Sequence, residues 1–325
     1  MTAGLSTIDI SPLLDPGAVA RQTAAEAIGA AAARDGFFYA AGCGLGPDTV
    51  TRLDAAARAF FALPDTDKRR VAMTRGGLAW RGWFPLGGEL TSGAPDQKEG
   101  FYFGEELSGD DPRVAARWPM HGANLWPDQP SELRAAVETY VAETTHAAAA
   151  IMQGASLALG LDADHFARAY LAKPTILFRI FRYPPMASAG WGVGEHTDYG
   201  LVTLLAQDEV GGLQVRTDRG WIDVPPVADT LVVNVGDMLE RLSGGRFVSA
   251  PHRVRNAGRR DRLSFPLFYD PDFSAEMTPA AAPADRATRE RWDRIDPNAF
   301  SGRYGDYLLR KVSAVFPELR AASGF

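Results

Sequence analysis

The second half of the chain consists of short apolar segments separated by turn residues, and this pattern restricts the possible folds most strongly. After residue 174, runs of Val, Ile, Leu, Phe and Tyr alternate with clusters of Gly, Pro, Asp and Asn. Such spacing predicts many short strands, as in a sandwich or jelly roll, rather than a parallel sheet with intervening helices. We place the predicted strands at residues 175–183, 201–206, 211–216, 221–224, 230–235, 246–255 and 262–269.

The first half of the chain is predicted to be mainly helical. After a first strand at Ile8-Asp9-Ile10, helical patterns occupy residues 18–35, 48–62 and 131–160. Residues 74–104 begin with glycine and aromatic residues that follow no period, which indicates an ordered loop leading into a further strand. The glycine run 190–194 is interpreted as a flexible lead-in to the next strand. A last amphipathic helix, at about 298–314, would pack outside the barrel.

Composition limits the class of protein. The chain has 325 residues, of which 46% are apolar and 23% charged, as expected for a soluble globular protein. Its net charge of −6 disfavours a nucleic-acid partner, which would require a basic face. A single cysteine, Cys43, fits a reducing compartment. With neither a signal-like start nor an apolar run of bilayer length, the sequence predicts a cytoplasmic protein without a membrane partner. Oligomeric state is not predicted.

Three residues are candidate metal ligands. His196 and Asp198 are two apart, so on an extended strand both side chains would leave the same face. His252 would join them from a distant strand. Two imidazoles and one carboxylate on one side of a metal form the arrangement used by mononuclear non-haem Fe(II) oxygenases. Zinc accepts the same ligands, so a zinc hydrolase is an alternative.

Eight motifs occur in the order in which one known family has them. They are Ile8-Asp9-Ile10, Asp96-Gln97-Lys98-Glu99, Arg182-Tyr183-Pro184-Pro185, His196-Thr197-Asp198, Gly211-Gly212-Leu213-Gln214-Val215, Asn234-Val235-Gly236-Asp237, Pro251-His252-Arg253-Val254 and Arg262-Leu263-Ser264-Phe265. With them the chain resembles the isopenicillin N synthase-like branch of the 2-oxoglutarate/Fe(II)-dependent dioxygenases.

The resemblance implies an α+β, mainly β fold: a double-stranded β-helix, or cupin-like jelly roll, with N-terminal and C-terminal helices packed outside. It divides the chain into four stretches that form one structural unit. These are an N-terminal region of the non-haem dioxygenase type at 1–120, long supporting helices at 121–174, the jelly-roll core at 175–275 and a C-terminal helical tail at 276–325.

The same resemblance implies roles for individual residues. His196, Asp198 and His252 would be the catalytic ligands of Fe(II), leaving adjacent positions for 2-oxoglutarate and O2. Arg262 and Ser264 would bind the far carboxylate of 2-oxoglutarate from one strand face, and Tyr183 would donate to the same co-substrate. The implied reaction is oxidation of a small molecule, by hydroxylation, desaturation or ring formation, with release of succinate and CO2.

Substrate contacts are expected around the loop and the strands that follow it. The candidates are Arg81, Trp83, Phe101, Phe103, Arg179 and Phe181. Arg179, Phe181 and Tyr183 alternate along one strand, so they should face the same side. An arginine near the pocket favours a substrate that carries a carboxylate. Ordinary core packing is the alternative for each aromatic residue.

Two further functions are compatible with the sequence. An Fe(II) oxidase of the same branch could act without 2-oxoglutarate, since Arg262 and Ser264 could bind a substrate carboxylate instead. A non-catalytic cupin-like protein that binds a metal or ligand would keep the barrel without needing this pair.

Overall fold

The computed structural model describes residues 4–185, 190–256, 259–281 and 296–316. Its strands are β1 Thr7–Asp9, β2 Phe37–Ala41, β3 Gly82–Phe84, β4 Glu99–Gly104, β5 Pro174–Tyr183, β6 Gly190–His196, β7 Val202–Gln207, β8 Leu213–Thr217, β9 Gly220–Asp223, β10 Thr230–Val235, β11 His252–Asn256 and β12 Arg262–Asp272. Its α-helices are α1 Ser11–Leu14, α2 Arg21–Arg34, α3 Thr49–Phe61, α4 Asp65–Lys68, α5 Pro112–Ala115, α6 Leu133–Ala158, α7 His165–Tyr170, α8 Asp237–Leu242 and α9 Tyr304–Val315.

The strands form two sheets. The larger has the order β1-β2-β10-β7-β12-β5-β4-β3, and the smaller has the order β6-β11-β8-β9. Strand β1 pairs with β2 in parallel, while the other pairings are antiparallel. The antiparallel architecture predicted from strand spacing is therefore confirmed, and a parallel α/β sheet is excluded for the described residues.

A cavity lies between the two sheets, and alternate residues of the longest strands line it. On β12 these are Arg262, Ser264, Pro266, Phe268 and Asp270, and on β5 they are Leu177, Arg179, Phe181 and Tyr183. The pattern follows from the period of two along a strand. In the register of the two strands, Arg262 lies opposite Tyr183 and Ser264 opposite Phe181. The alternation predicted for Arg179, Phe181 and Tyr183 is thus present.

The outer face of β12 packs against the longest helix. Helix α6 buries positions three and four residues apart, and the Tyr140 hydroxyl donates to the Phe265 carbonyl at 2.8 Å. The helix is two residues shorter at each end than the predicted span 131–160, and Gly160 follows it with φ of +77°. No helix in the described part of the chain combines the length and apolarity of a membrane span.

The structure corrects the predictions for residues 190–194 and 246–255. Residues 190–194 are not a flexible lead-in, because they form most of β6. Gly192 is required there by close approach, since a Cβ atom on it would lie 2.5 Å from the Tyr183 ring. Strand β11 begins only at His252, because the Phe247 amide donates to the Ser243 hydroxyl and the Ser249 amide to the Glu240 carboxylate. Residues 246–251 are therefore held to α8 and its following turn.

The C-terminal helix begins later than predicted. A short 3-10 turn at Pro297–Ala299 precedes it, and the Asp296 side chain accepts the Asn298 amide there. Helix α9 lies outside the sheets, but Leu308, Val312 and Val315 on it, with the following Phe316, also line the cavity. The four-part division of the chain stays a prediction, and residues 282–295 and 317–325 of its last stretch lie outside the described residues.

Candidate active site

His196, Asp198 and His252 meet at one wall of the cavity. One ligand atom from each lies within 4.8 Å of the others. The Asp198 Oδ1 atom is 3.9 Å from His196 Nε2 and 3.6 Å from His252 Nε2. The two histidines are direct partners across β6 and β11, whereas Asp198 follows the end of β6. Asp198 therefore reaches its neighbours from the turn after the strand, not from a shared strand face as the sequence suggested.

The hydrogen bonds around these side chains set which atoms remain available. His196 Nδ1 lies 2.8 Å from the Gly194 carbonyl and His252 Nδ1 lies 3.2 Å from the Ala250 carbonyl, so each Nδ1–H donates to the backbone. The Nε2 lone pairs are then free to bind a metal. Burial and the neighbouring His252 lower the pKa of His196 to about 4, which keeps the imidazole neutral as a ligand must be.

The Asp198 carboxylate is oriented by two donors on neighbouring strands. Its Oδ2 atom accepts from Thr203 Oγ1 at 2.5 Å and from Asn234 Nδ2 at 2.7 Å. Thr203 and Asn234 are themselves register partners across β7 and β10. The Oδ1 atom is thus the one turned towards the histidines, and Asp198 would bind a metal through this single oxygen.

Arg262 carries a buried donor that has no partner within the described residues. Its side chain is 1% exposed, Nε donates to the Gly211 carbonyl at 2.5 Å, and Nη2 donates to Gln207 Oε1 at 3.2 Å. The Nη1 atom is buried and makes no hydrogen bond in the described part of the chain. The guanidinium lies 4.7 Å from the centre of the Tyr183 ring, and Ser264 lines the cavity beside it. A buried charge with an unused donor fits an anionic group such as a carboxylate of 2-oxoglutarate.

Two family models and several curated relatives match this chain. Residues 174–271 match the family described as the 2OG-Fe(II) oxygenase superfamily, and residues 5–129 match the N-terminal region described as non-haem dioxygenase in morphine synthesis. A probable iron/ascorbate oxidoreductase of Dictyostelium discoideum is 42% identical over 88% of this chain and 86% of its own length. A homoarginine-6-hydroxylase of Glycine max is 33% identical over 98% of both chains.

A solved structure shows the same fold. Neurospora crassa T7H in complex with alpha-KG and thymine has a TM-score of 0.77, with 27% identity over 97% of this chain and 98% of that one. The chain belongs to the 2OG-Fe(II) oxygenase superfamily. This oxygenase is an oxidoreductase with a double-stranded β-helix, and it uses Fe(II) and 2-oxoglutarate to oxidise a small molecule. The zinc hydrolase and the non-catalytic cupin are thereby set aside.

The cavity of the oxygenase extends from Arg262 past the metal ligands to a second group of charged side chains. Lys98 lies between two carboxylates, 2.8 Å from Glu89 and 2.5 Å from Asp96. The Tyr102 hydroxyl donates to Glu89 at 2.7 Å. Arg179 lies with its guanidinium 3.6 Å from the centre of the Tyr102 ring. We call Glu89, Asp96, Lys98, Arg179 and Asp270 the distal charge group.

Asp270 occupies the last cavity-facing position of β12. Its side chain is 3% exposed and accepts the Tyr304 hydroxyl of α9 at 2.5 Å. A Cβ atom on Gly200 would lie 1.5 Å from Asp270 Oδ1, so the carboxylate fits only against a glycine. Burial raises the pKa of Asp270 to about 7, while the Tyr304 hydrogen bond and Arg179 act in the opposite direction.

Four of the six expected substrate contacts lie outside the cavity lining. Arg81 is buried and donates to the carbonyls of Met120, Glu105 and Gly122. It therefore connects the loops that contain these residues. The other three belong to the core. The Trp83 Nε1–H group donates to the Glu99 carboxylate at 2.8 Å. The ring centre of Phe101 lies 4.6 Å from that of Phe60, and the ring centre of Phe103 lies 5.0 Å from that of Trp126. These four expectations are corrected, while Arg179 and Phe181 do line the cavity.

The cavity wall also contains residues for which the sequence predicted no role. Tyr102 lies between Phe101 and Phe103 and points to the opposite face of β4, towards the cavity. Lys98 shares that face, because it is four residues before Tyr102. Lys98 belongs to the motif Asp96-Gln97-Lys98-Glu99, which contributed to the family resemblance, but no function was predicted for it. Asp270 and the cavity face of α9 had no sequence signal beyond strand and helix periodicity.

Proposed function

We propose that this oxygenase oxidises a small molecule bearing a carboxylate, that Arg179 binds this carboxylate, and that His196, Asp198 and His252 hold the iron. Arg179 carries the proposal. It is 6% exposed, lines the cavity and forms no salt bridge within the described residues. Its hydrogen bonds there are made by Nη1 alone, to the carbonyls of Phe103 and Phe178. Nε and Nη2 are therefore left for an anionic ligand.

Arg179 is too far from Arg262 to serve the same carboxylate. Arg262 is the register partner of Tyr183, and Arg179 lies four residues further along β5. Four residues of strand span roughly 13 Å, which exceeds the length of one 2-oxoglutarate molecule. The guanidinium of Arg179 lies 5.6 Å from the Phe268 ring, and Phe268 pairs with Thr203, which binds Asp198. Arg179 thus lies near the level of the metal ligands, where a substrate must reach.

Different residues around the site bind 2-oxoglutarate and the substrate. Arg262, Ser264 and Tyr183 bind and orient 2-oxoglutarate in this proposal, and Arg179 with Phe181 orients the substrate. Bound iron supplies the oxidising chemistry with O2, in which 2-oxoglutarate becomes succinate and CO2. Leu308, Val312 and Phe316 form an apolar wall that excludes water from the reacting groups.

One relative supports a carboxylate-bearing substrate. Homoarginine, named for the Glycine max enzyme, is an amino acid and so carries a carboxylate. The Nε and Nη2 atoms of Arg179, which make no hydrogen bond within the described residues, suit such a group, because a guanidinium binds a carboxylate with two parallel hydrogen bonds.

Succinate formation tests the proposal directly. Purified protein with Fe(II), O2 and 2-oxoglutarate is assayed with L-homoarginine and other small carboxylates, each beside its primary amide. We expect the acids to stimulate succinate release more than the amides do. Asp198→Ala should abolish the stimulated release, because the iron loses a ligand; retained turnover in this variant would contradict the ligand assignment.

The variant Arg179→Gln tests whether Arg179 is the anchor for the substrate carboxylate. The KM for the stimulating acid should rise about tenfold or more, as expected for a lost charge-assisted pair, while the KM for 2-oxoglutarate stays the same. Arg253→Gln is the matched control, since Arg253 stacks between Trp191 and Trp221 away from the cavity lining. An increase confined to the KM for 2-oxoglutarate would refute the role of Arg179.

A further inference from the structure

We infer that the substrate carries a cationic nitrogen as well as a carboxylate, and that Asp270 is the counter-ion for that nitrogen. The inference rests on the proposed function, because it places the cation in the cavity whose carboxylate anchor is Arg179. It assigns the substrate to the zwitterionic or basic amino acids and related amino-carboxylates.

The distal charge group leaves one negative charge unmatched. Lys98 is shared by Glu89 and Asp96, so these three side chains together carry one excess negative charge. Arg179 offsets that excess, since it lies against Tyr102, whose hydroxyl binds Glu89. Asp270 then adds a further carboxylate, and within the described residues no cationic side chain forms a salt bridge with it.

The other nearby cation is already engaged. Lys311 on α9 lies 3.4 Å from the Asp237 carboxylate, which also accepts the Tyr307 hydroxyl at 2.7 Å. The hydrogen-bond donor that reaches Asp270 from the same helix is the neutral hydroxyl of Tyr304. A buried carboxylate without a cation is unfavourable, and burial accordingly raises the pKa of Asp270 to about 7.

A substrate with only a carboxylate would worsen this imbalance. Its charge would be compensated by Arg179, but Arg179 would then no longer offset the excess of Glu89 and Asp96. An added ammonium or guanidinium group restores the balance, and the cavity position of Asp270 allows direct contact with it. Phe268 precedes Asp270 on the same strand face and offers an aromatic surface to the aliphatic part of such a molecule.

Three six-carbon probes that share a carboxylate test the inference: hexanoate, L-norleucine and L-lysine. They differ by stepwise addition of amino groups. Dissociation constants are measured by calorimetry on the anaerobic protein loaded with Fe(II) and 2-oxoglutarate. We expect at least one of the two amines to bind about tenfold or more tightly than hexanoate, because it supplies a partner for a buried charge. In Asp270→Asn this advantage should disappear.

Tyr304→Phe is the matched control, because it removes the hydroxyl and keeps the Asp270 carboxyl group. The Tyr304 hydroxyl lowers the pKa of Asp270, so the probes are compared at about pH 8.5, where the carboxyl is ionised in both proteins. The preference for the amine should persist in this variant. Equal loss of the preference in both variants would mean that Asp270 only anchors α9, and would overturn the inference. So would tight binding of hexanoate by the wild type, or an unchanged preference in Asp270→Asn.

Arg179→Gln separates this inference from the proposed function. If the carboxylate anchor is correct, all three probes lose affinity in that variant. If hexanoate binding is unchanged while the amines still depend on Asp270, the carboxylate anchor fails and the cation site stands.

Discussion

The two ends of the cavity differ in how their buried charged side chains are paired. At one end Arg262 is held by a carbonyl and an amide, and its remaining donor is buried without a partner in the described residues. At the other end Lys98 is paired with two carboxylates, and Asp270 is held by a hydroxyl. The first end has a buried donor available for one anion, whereas the second is a mixed set of charges that, in our proposal, discriminates between substrates.

The largest expected effect comes from breaking the Arg262 end. Arg262→Gln removes the buried cation that is proposed to bind the far carboxylate of 2-oxoglutarate. The KM for 2-oxoglutarate should therefore rise about a hundredfold or more. The KM for the primary substrate should change little, because Arg179 is intact. Steady-state succinate release measures both. Arg262→Lys keeps the charge but loses the two parallel N–H groups, so its KM for 2-oxoglutarate should lie between those of the wild type and Arg262→Gln. A wild-type KM for 2-oxoglutarate in both variants would contradict the proposed difference between the two cavity ends.

A smaller effect is expected between the ends, at the iron ligands. Asn234→Ala removes one of the two donors to Asp198 Oδ2, so the carboxylate can rotate and Fe(II) affinity should fall about 10- to 100-fold. Equilibrium dialysis against Fe(II) under anaerobic conditions measures this. Thr230→Val, at the other end of β10, is the control and should bind iron normally. Unchanged iron affinity in Asn234→Ala would show that Thr203 alone orients the ligand.

The smallest expected effect is the pH dependence of stability at the Asp270 end. A raised pKa means that the folded protein holds a proton the unfolded chain has already released, so stability falls as pH rises from about 4 towards about 7. Asp270→Asn should remove this contribution. Between pH 6 and 7 the wild type should lose about 1 kcal/mol relative to the variant, measured by urea unfolding at equal metal loading.

The groups that act on the Asp270 carboxyl are Tyr304, Asp198, Arg179 and the Leu201 amide, and none of them is changed in that variant. A difference between the two proteins that stays constant across this pH range would show that Asp270 carries no proton in the folded state, and the contrast between the cavity ends would lose its electrostatic basis.

The candidate iron ligands and the many short strands were predictable because their signals are local, while the double-stranded β-helix itself was implied by the family resemblance. His196, Asp198 and His252 belong to short motifs, and strand periodicity places Arg262 with Ser264 and Arg179 with Phe181. Strand β6 was missed because glycine disfavours strands in general, while Gly192 is needed where β6 passes the Tyr183 ring.

The cavity end that holds the distal charge group was less predictable, because its strands are buried on both faces. Phe101, Tyr102 and Phe103 are all buried, so apolar alternation cannot tell which of them faces the cavity. Arg81 illustrates a second limit. A buried arginine can bind a ligand or backbone carbonyls, and only the fold shows that the carbonyls of residues 105, 120 and 122 converge on it.

Helix α9 has a consequence for how enzymes of this architecture can diverge. It contributes Leu308, Val312 and Val315 to the cavity but none of the proposed ligands for iron or 2-oxoglutarate. Selection can therefore alter this helix, and with it the range of accepted molecules, without dismantling the oxidising centre. For protein engineering, the same separation makes the C-terminal helix the first segment to randomise when a new substrate is sought.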